Sequence, residues 1–256
     1  MRLTRCYINA PLAVGDFVPL SESATAHLTR VLRLGLGARL VLFNGDGHDY
    51  DAELSSLEKK GARAEVLAAQ AVRTESPVRV VLAQAVARGE KMDFVLQKAT
   101  ELGVAGIVPL ITERTEVRLD AERGEKRRTH WQGVIASACE QSGRARLPAL
   151  GQVATLAHWL GSAPPGLDAA EASEQRLPLF YLDPDAETSL RQLSETAFVG
   201  ACVVIGPEGG LGERDLAQLR AAGAIGIKLG PRVLRTETAG LALLAAMQAL
   251  YGDLCA

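Results

Sequence analysis

Two loops hold the residues whose types and spacing best suit chemistry. The first, Gly206-Pro207-Glu208-Gly209-Gly210, sets three glycines and a proline around one carboxylate. Glycine lets a backbone approach a ligand closely, and proline fixes one turn of the path. The second, Leu229-Gly230-Pro231-Arg232-Val233-Leu234-Arg235-Thr236-Glu237-Thr238-Ala239, carries two guanidinium groups just before a helix. Glu208 offers a base or a positioning group, and Arg235 a fixed cation able to stabilise an anion that develops during a reaction. Each loop alone has a plainer reading. The first can be a tight strand-to-helix turn that binds nothing. The second can be an ordinary helix start, capped by Thr236 or Thr238, whose arginines are solvated or, for Arg235, paired with Glu237. Two such loops after neighbouring strands weaken the plain reading of both. Neither is a GxGxxG dinucleotide fingerprint or a P-loop, and the Glu208 anion disfavours a phosphate cradle. Neither contains a histidine base.

Short apolar runs must position these loops. Residues 201–205 lead into the first and 225–229 into the second, while a third run, 178–182, ends at Leu182-Asp183-Pro184. Upstream, 78–86 reads as a buried strand and 90–102 as a helix, with Met92, Val95, Leu96, Ala99 and Leu102 at three- and four-residue steps before Gly103. Residues 104–110 read as a strand and 121–141 as a charged helix. This alternation predicts a largely parallel α/β sheet, which binds ligands at the carboxyl ends of its strands, where all three loops lie. Residues 161–176 read as a surface excursion. The first 73 residues are patterned differently. A run at 39–43, a turn at Asn44-Gly45-Asp46-Gly47, alternation over 50–54 and a run at 62–67 predict a small β-barrel or sandwich. Ser76 and Pro77 break both periodicities, which gives domains 1–73 and 74–256.

Composition removes several classes. With 28 basic and 30 acidic residues, the net charge of -2 excludes a tail-driven nucleic-acid binder but allows a local basic patch. Six acids against Arg176 alone fall within 161–187, so the rest of the chain is net positive. The four cysteines and four histidines are scattered, without metal-ligand spacing or a disulfide framework, which suits a reducing, cytoplasmic setting. No stretch is long enough to span a bilayer, and no signal-peptide core forms. Aromatic residues are 4% of the chain, so recognition by many stacked bases is disfavoured, and His27, Trp131 and Trp159 read as packing residues.

The two loops resemble the signature motifs of the SPOUT methyltransferases. Arg88-Gly-Glu-Lys-Met-Asp-Phe94, Gln97-Lys-Ala-Thr-Glu-Leu-Gly103, Pro109, Thr112-Glu-Arg114 and Ala138-Cys-Glu-Gln-Ser-Gly-Arg144 narrow the resemblance to the ribosomal RNA small subunit methyltransferase E family. His27-Leu-Thr-Arg-Val-Leu-Arg-Leu34 is similar to that family's N-terminal domain, and Asp215 stands where members often carry Glu. The resemblance implies a PUA-like RNA-binding β-barrel followed by a SPOUT α/β domain with a deep trefoil knot. It implies methylation of N3 of a uridine in 16S rRNA, with S-adenosylmethionine as cofactor, no metal, the small ribosomal subunit as partner, a homodimer, and neither DNA nor membrane. Carried onto this chain, the cofactor-binding residues are Leu182, Ile205, Gly206, Pro207, Glu208, Gly209, Gly210, Leu229, Gly230, Val233, Leu234, Arg235, Thr236 and Ala239. Arg235 and Glu208 are the expected catalytic groups. Arg2, Arg5, Arg30, Arg33, Lys91, Lys98, Arg114 and Arg144 are expected to meet RNA phosphates, although each taken singly reads as a surface cation. Leu241, Leu244, Met247 and Leu250 can face a partner subunit or the chain's own core. The alternatives are a ribose 2′-O-methyltransferase on the same scaffold and a non-catalytic RNA-binding assembly factor.

Overall fold

The computed structural model describes residues 3–58, 61–117, 121–162, 177–193 and 199–255. The chain forms two compact units, Met1–Glu75 with Ala136–Leu147, and Ser76–Ile135 with Pro148–Ala256.

The first unit contains strands β1 (Arg5–Tyr7) and β2 (Phe17–Pro19), helix α1 (Glu22–Ala26), and strands β3 (Arg39–Phe43), β4 (His48–Glu58) and β5 (Gly61–Ala71). They form one sheet in the order β1-β3-β4-β5-β2, whose end strands β1 and β2 do not pair with each other among the described residues. Alternate residues Tyr50, Ala52 and Leu54 of β4 are buried with Leu40 and Leu42 of β3 and with Ala64 and Val66 of β5. After α1, His27–Val31 is a π-helical stretch that buries Leu28, which packs into the same core. Arg33 at its end adopts φ 55, the left-handed region, and is the single non-glycine residue to do so among the described residues.

The second unit adds β6 (Arg79–Ala85), α2 (Lys91–Glu101), β7 (Gly106–Ile111), α3 (Ala121–Ser142), β8 (Ala149–Leu150), β9 (Ala154–Thr155), α4 (Leu156–Gly161), β10 (Leu179–Leu182), β11 (Gly200–Ile205), α5 (Glu213–Ala221), β12 (Ile225–Ile227) and α6 (Thr236–Tyr251). The residues of α3 from Ala136 onward belong to the first unit, an allocation its sequence does not announce. Every pairing in this sheet is parallel, in the order β12-β10-β11-β6-β7-β8, with β9 also on β7. A parallel sheet must be covered on both faces. Val81, Ala83, Cys202, Val204 and Tyr181 pack on one face with Leu156 and Trp159 of α4 and Leu219 of α5. The opposite face holds Leu82, Gln84 and Ile205, which lie against Gly240 of α6. Within α6, Leu244 and Met247 are buried, Leu241 is half-buried and Leu250 is 52% exposed, so the three-residue stripe serves mainly this chain's own core. The predicted excursion falls largely on residues outside those described. No described helix is long and apolar enough to cross a membrane.

Candidate active site

Sheet order explains why the three loops meet. Strand β10 lies between β12 and β11, with Tyr181 opposite both Val204 and Gly226, so the carboxyl ends of all three strands are adjacent. Their loops surround a cleft of about 570 Å³. Leu182, Ile205, Ile227, Leu229, Leu234 and Ala239 supply apolar lining, and Lys91, Arg114, Arg232 and Arg235 supply cations. Of the expected cofactor residues, all but Gly209 line this cleft.

The first loop is braced from outside. Gly210 takes φ 72, and its N–H donates to the Pro207 carbonyl at 2.9 Å, closing a turn. Arg114 donates through Nη1 to the Gly209 carbonyl at 2.9 Å. Glu113 and Asp215 tie the same segment to the start of α5: Asp215 accepts the N–H groups of Gly212 and Glu113, and Glu113 accepts that of Arg214. The second loop turns at Gly230, φ 73, and leads into α6. Neither Thr236 nor Thr238 caps that helix. Arg235 occupies the cap position with no side-chain bond, because the Thr236 hydroxyl is drawn inward and donates to the Gly206 carbonyl at 2.6 Å.

The charged groups separate into committed and free. Lys91 lies 3.2 Å from Glu208 Oε1 and 3.6 Å from Glu237 Oε2, so Glu237 pairs with Lys91 and not with Arg235. The guanidinium groups of Arg232 and Arg235 are exposed and make no ion pair or hydrogen bond with the described residues. Partial desolvation acts to raise the Glu208 pKa. Hydrogen bonds from its own N–H, from the Arg88 N–H and from the Lys91 ammonium outweigh that and hold it below the ordinary carboxylate value. A depressed pKa means that the ionised, bonded state persists at neutral pH and is lost only as the pH falls below the usual carboxylate range. Such a carboxylate is a poor proton acceptor near neutrality. Glu208→Gln is therefore expected to lower kcat by less than about tenfold and to leave the shape of the pH–rate profile unchanged; loss of one limb and of roughly 10²–10⁴ in rate would make Glu208 the base. Cys202, buried on β11, has its thiol pushed up to about 12 by burial and offers no nucleophile.

The cations expected at RNA divide in the same way. Arg30 and Arg33 are exposed in the first unit. Arg5 and Arg144 are not surface groups. Arg5 is 8% exposed, pairs with Asp49, lies over the Phe43 ring and donates to the Arg144 carbonyl at 2.9 Å. Arg144 is 4% exposed and pairs with Glu75 at 2.5 Å. Both buried cations are used internally, each paired with a partly exposed carboxylate. Lys98 pairs with Glu101 one helical turn away, and Lys91 and Arg114 face the cleft. Arg2 lies outside the described residues. Gln84, a lone amide in an apolar strand, carries no motif signal, and Glu113 lies in a quoted motif, Thr112-Glu-Arg114, that gives it no role of its own.

A family model for an RNA methyltransferase domain matches residues 74–248, and one for an RNA methyltransferase PUA domain matches residues 20–67. A ribosomal RNA small subunit methyltransferase E from Buchnera aphidicola subsp. Schizaphis graminum is 31% identical over 255 residues, 99% of this chain and 98% of that one. The chain belongs to the ribosomal RNA small subunit methyltransferase E family. The Bacillus subtilis member is 30% identical over 89% of each chain. The Neisseria gonorrhoeae member of the family, solved bound to S-adenosyl methionine, is 37% identical, with a TM-score of 0.85 over 99% of this chain and all of that one. A Legionella pneumophila protein solved with the bound cofactor SAM is also 37% identical, with a TM-score of 0.87 over the same shares. The resemblance read from the loops is thereby met, and the family's PUA domain falls within the first unit.

Proposed function

We propose that this chain is an S-adenosylmethionine-dependent methyltransferase that methylates N3 of a uridine in 16S rRNA of the small ribosomal subunit. The observation that carries the proposal is the convergence of three strand-end loops on one cleft, with apolar lining and an Arg235 that is unpaired among the described residues. The cleft fits the cofactor. Its volume falls in the range of small-molecule sites, roughly 300–1,000 Å³, and its apolar side chains suit an adenine. Gly210 and Gly230 leave open space where a Cβ would stand. When bound, S-adenosylmethionine supplies a methyl carbon already activated by a sulfonium, so the protein has to orient the two reactants.

Uracil N3 must lose a proton to accept a methyl group, and the negative charge then spreads to O2 and O4. Arg235 can stabilise that anion at fixed charge. Glu208, held ionised by Lys91, positions the loop. A ribose hydroxyl is a much weaker acid and needs a strong base, and Glu208, held below the ordinary carboxylate value by the Arg88 N–H and the Lys91 ammonium, does not suit that task. The geometry thus favours base over ribose methylation. Mass mapping of nucleosides in rRNA methylated by the purified protein tests this: 3-methyluridine is expected, and a 2′-O-methyl product would overturn it.

Arg30 and Arg33 of the first unit are the phosphate contacts supported by exposure. Replacing either by alanine is expected to reduce the slope of log K against log salt by about 1, while Arg5→Ala and Arg144→Ala lower thermal stability instead. Filter binding over a salt series and a melting curve distinguish these outcomes. We further infer a cytoplasmic homodimer whose cofactor domain is knotted. The exposed Leu250 and Leu254 beyond the core face of α6 support an apolar interface, which sedimentation would detect.

A further inference from the structure

Strand β6 is apolar along its buried length except at Gln84, which is fully buried. Burying an amide is costly unless its groups find partners. Gln84 Nε2 donates to Thr236 Oγ1 at 2.9 Å and to the Ala85 carbonyl at 3.0 Å. Thr236 Oγ1 in turn donates to the Gly206 carbonyl at 2.6 Å. Gln84 Oε1 has no hydrogen-bond partner among the described residues, and it lies where a Cβ on Gly240 would meet it at 3.3 Å. An apolar residue would fill this position on the sheet without leaving an orphaned acceptor. What the amide adds is direction. By donating into the Thr236 oxygen it leaves the hydroxyl hydrogen for Gly206, so a single chain of hydrogen bonds joins the middle strand, the first turn of α6 and the first residue of the glycine loop.

We propose that Gln84 is a positioning residue for cofactor binding, acting through Thr236 to hold Gly206 and the start of α6 at fixed separation. The proposal rests on the reading of this cleft as the S-adenosylmethionine site. Gly206 and Thr236 both line it, whereas Gln84 does not, so Gln84 acts only through them.

The test compares Gln84→Met, Thr236→Val, Thr236→Ser and the Gln84→Met/Thr236→Val double variant in the full-length chain. Calorimetry gives the Kd for S-adenosylmethionine, steady-state assays give its KM and kcat, and melting without cofactor reports the fold. Gln84→Met and Thr236→Val are each expected to raise Kd and KM by about tenfold, the size of one net hydrogen bond, with a smaller change in kcat. The double variant is expected to be no weaker than the worse single, because both break one chain. Thr236→Ser, which keeps the hydroxyl, should stay within about twofold of the parent. Unchanged affinity in Gln84→Met, or losses that simply add in the double variant, would overturn the relay. If Gln84→Met does not fold, Thr236→Val against Thr236→Ser decides: equal affinities reject it. Failure of the unsubstituted protein to bind S-adenosylmethionine would instead reject the cofactor site, and the relay's role with it.

Discussion

Arg235→Ala is expected to lower kcat by about 10²–10³-fold, as removal of one preorganised donor from a developing oxyanion does elsewhere. The Kd for S-adenosylmethionine should change far less, because the guanidinium holds no part of the cleft together: it pairs with neither Glu208 nor Glu237, which are both served by Lys91. Its freedom is what distinguishes Arg235 from Arg114, whose Nη1 is committed to the Gly209 carbonyl. Arg232 shares that freedom, so Arg232→Ala is the matched control for simple loss of loop charge. Arg235→Lys keeps a positive charge but loses the planar fork, and should recover only part of the rate. The pH dependence is diagnostic. Without a cation to stabilise the N3 anion, the variant's rate should keep climbing at alkaline pH where the parent's levels off. Equal losses in kcat and in cofactor affinity would instead make Arg235 a binding residue.

The legible parts of this protein are those where backbone demands and apolar runs coincide. The boundaries of β6, α2, β7, α3 and β10 to β12 lie close to the apolar runs, because buried parallel strands read as continuous hydrophobic segments and α2 follows a three- and four-residue step. The glycine loop was legible for the same reason: Gly206 directly follows a fully buried strand, and Gly210 closes the loop four residues later. What could not be read is the order of the strands. Nothing local in 178–182 says that it lies between β11 and β12, yet that placement brings the three loops together. The knot is likewise implied only by the family resemblance, since ordinary connection rules argue against a threaded chain. Charge was the least legible property. Arg5 and Arg144 have the same formal charge as Arg30 and Arg33, and only the carboxylates of Asp49 and Glu75, distant in sequence, decide which pair is buried. Nor does the local pattern of 27–34 show the π-helical turn that buries Leu28, which continues a helix started where Ser21 accepts the Ala24 N–H.

Asp215 is the carboxylate on which the other brace of the site depends. It is 4% exposed and accepts the Gly212 N–H at 2.9 Å and the Glu113 N–H at 3.1 and 3.2 Å. The first contact is the half of a capping box that a glycine cap allows, and an anion in the first turn of α5 is also favoured by the helix dipole. Asp215→Ala leaves two N–H groups without their acceptor in a closed space. It is expected to reduce stability by about 3 kcal/mol, which for a domain of this size is a fall in Tm of roughly 6–12 °C. Asp215→Asn retains one acceptor oxygen and should cost about half as much. Asp215→Glu keeps the charge and the capping chemistry, and should melt within a few degrees of the parent. The functional consequence follows from Glu113, which is fixed to α5 at two points and precedes the arginine that holds Gly209. Freeing Glu113 loosens the Arg114 anchor, so Asp215→Ala should weaken S-adenosylmethionine binding at temperatures well below its own melting point. A lowered Tm with unchanged cofactor affinity would show that the Gly206–Gly210 loop keeps its shape without this brace, and that Asp215 serves the start of α5 alone.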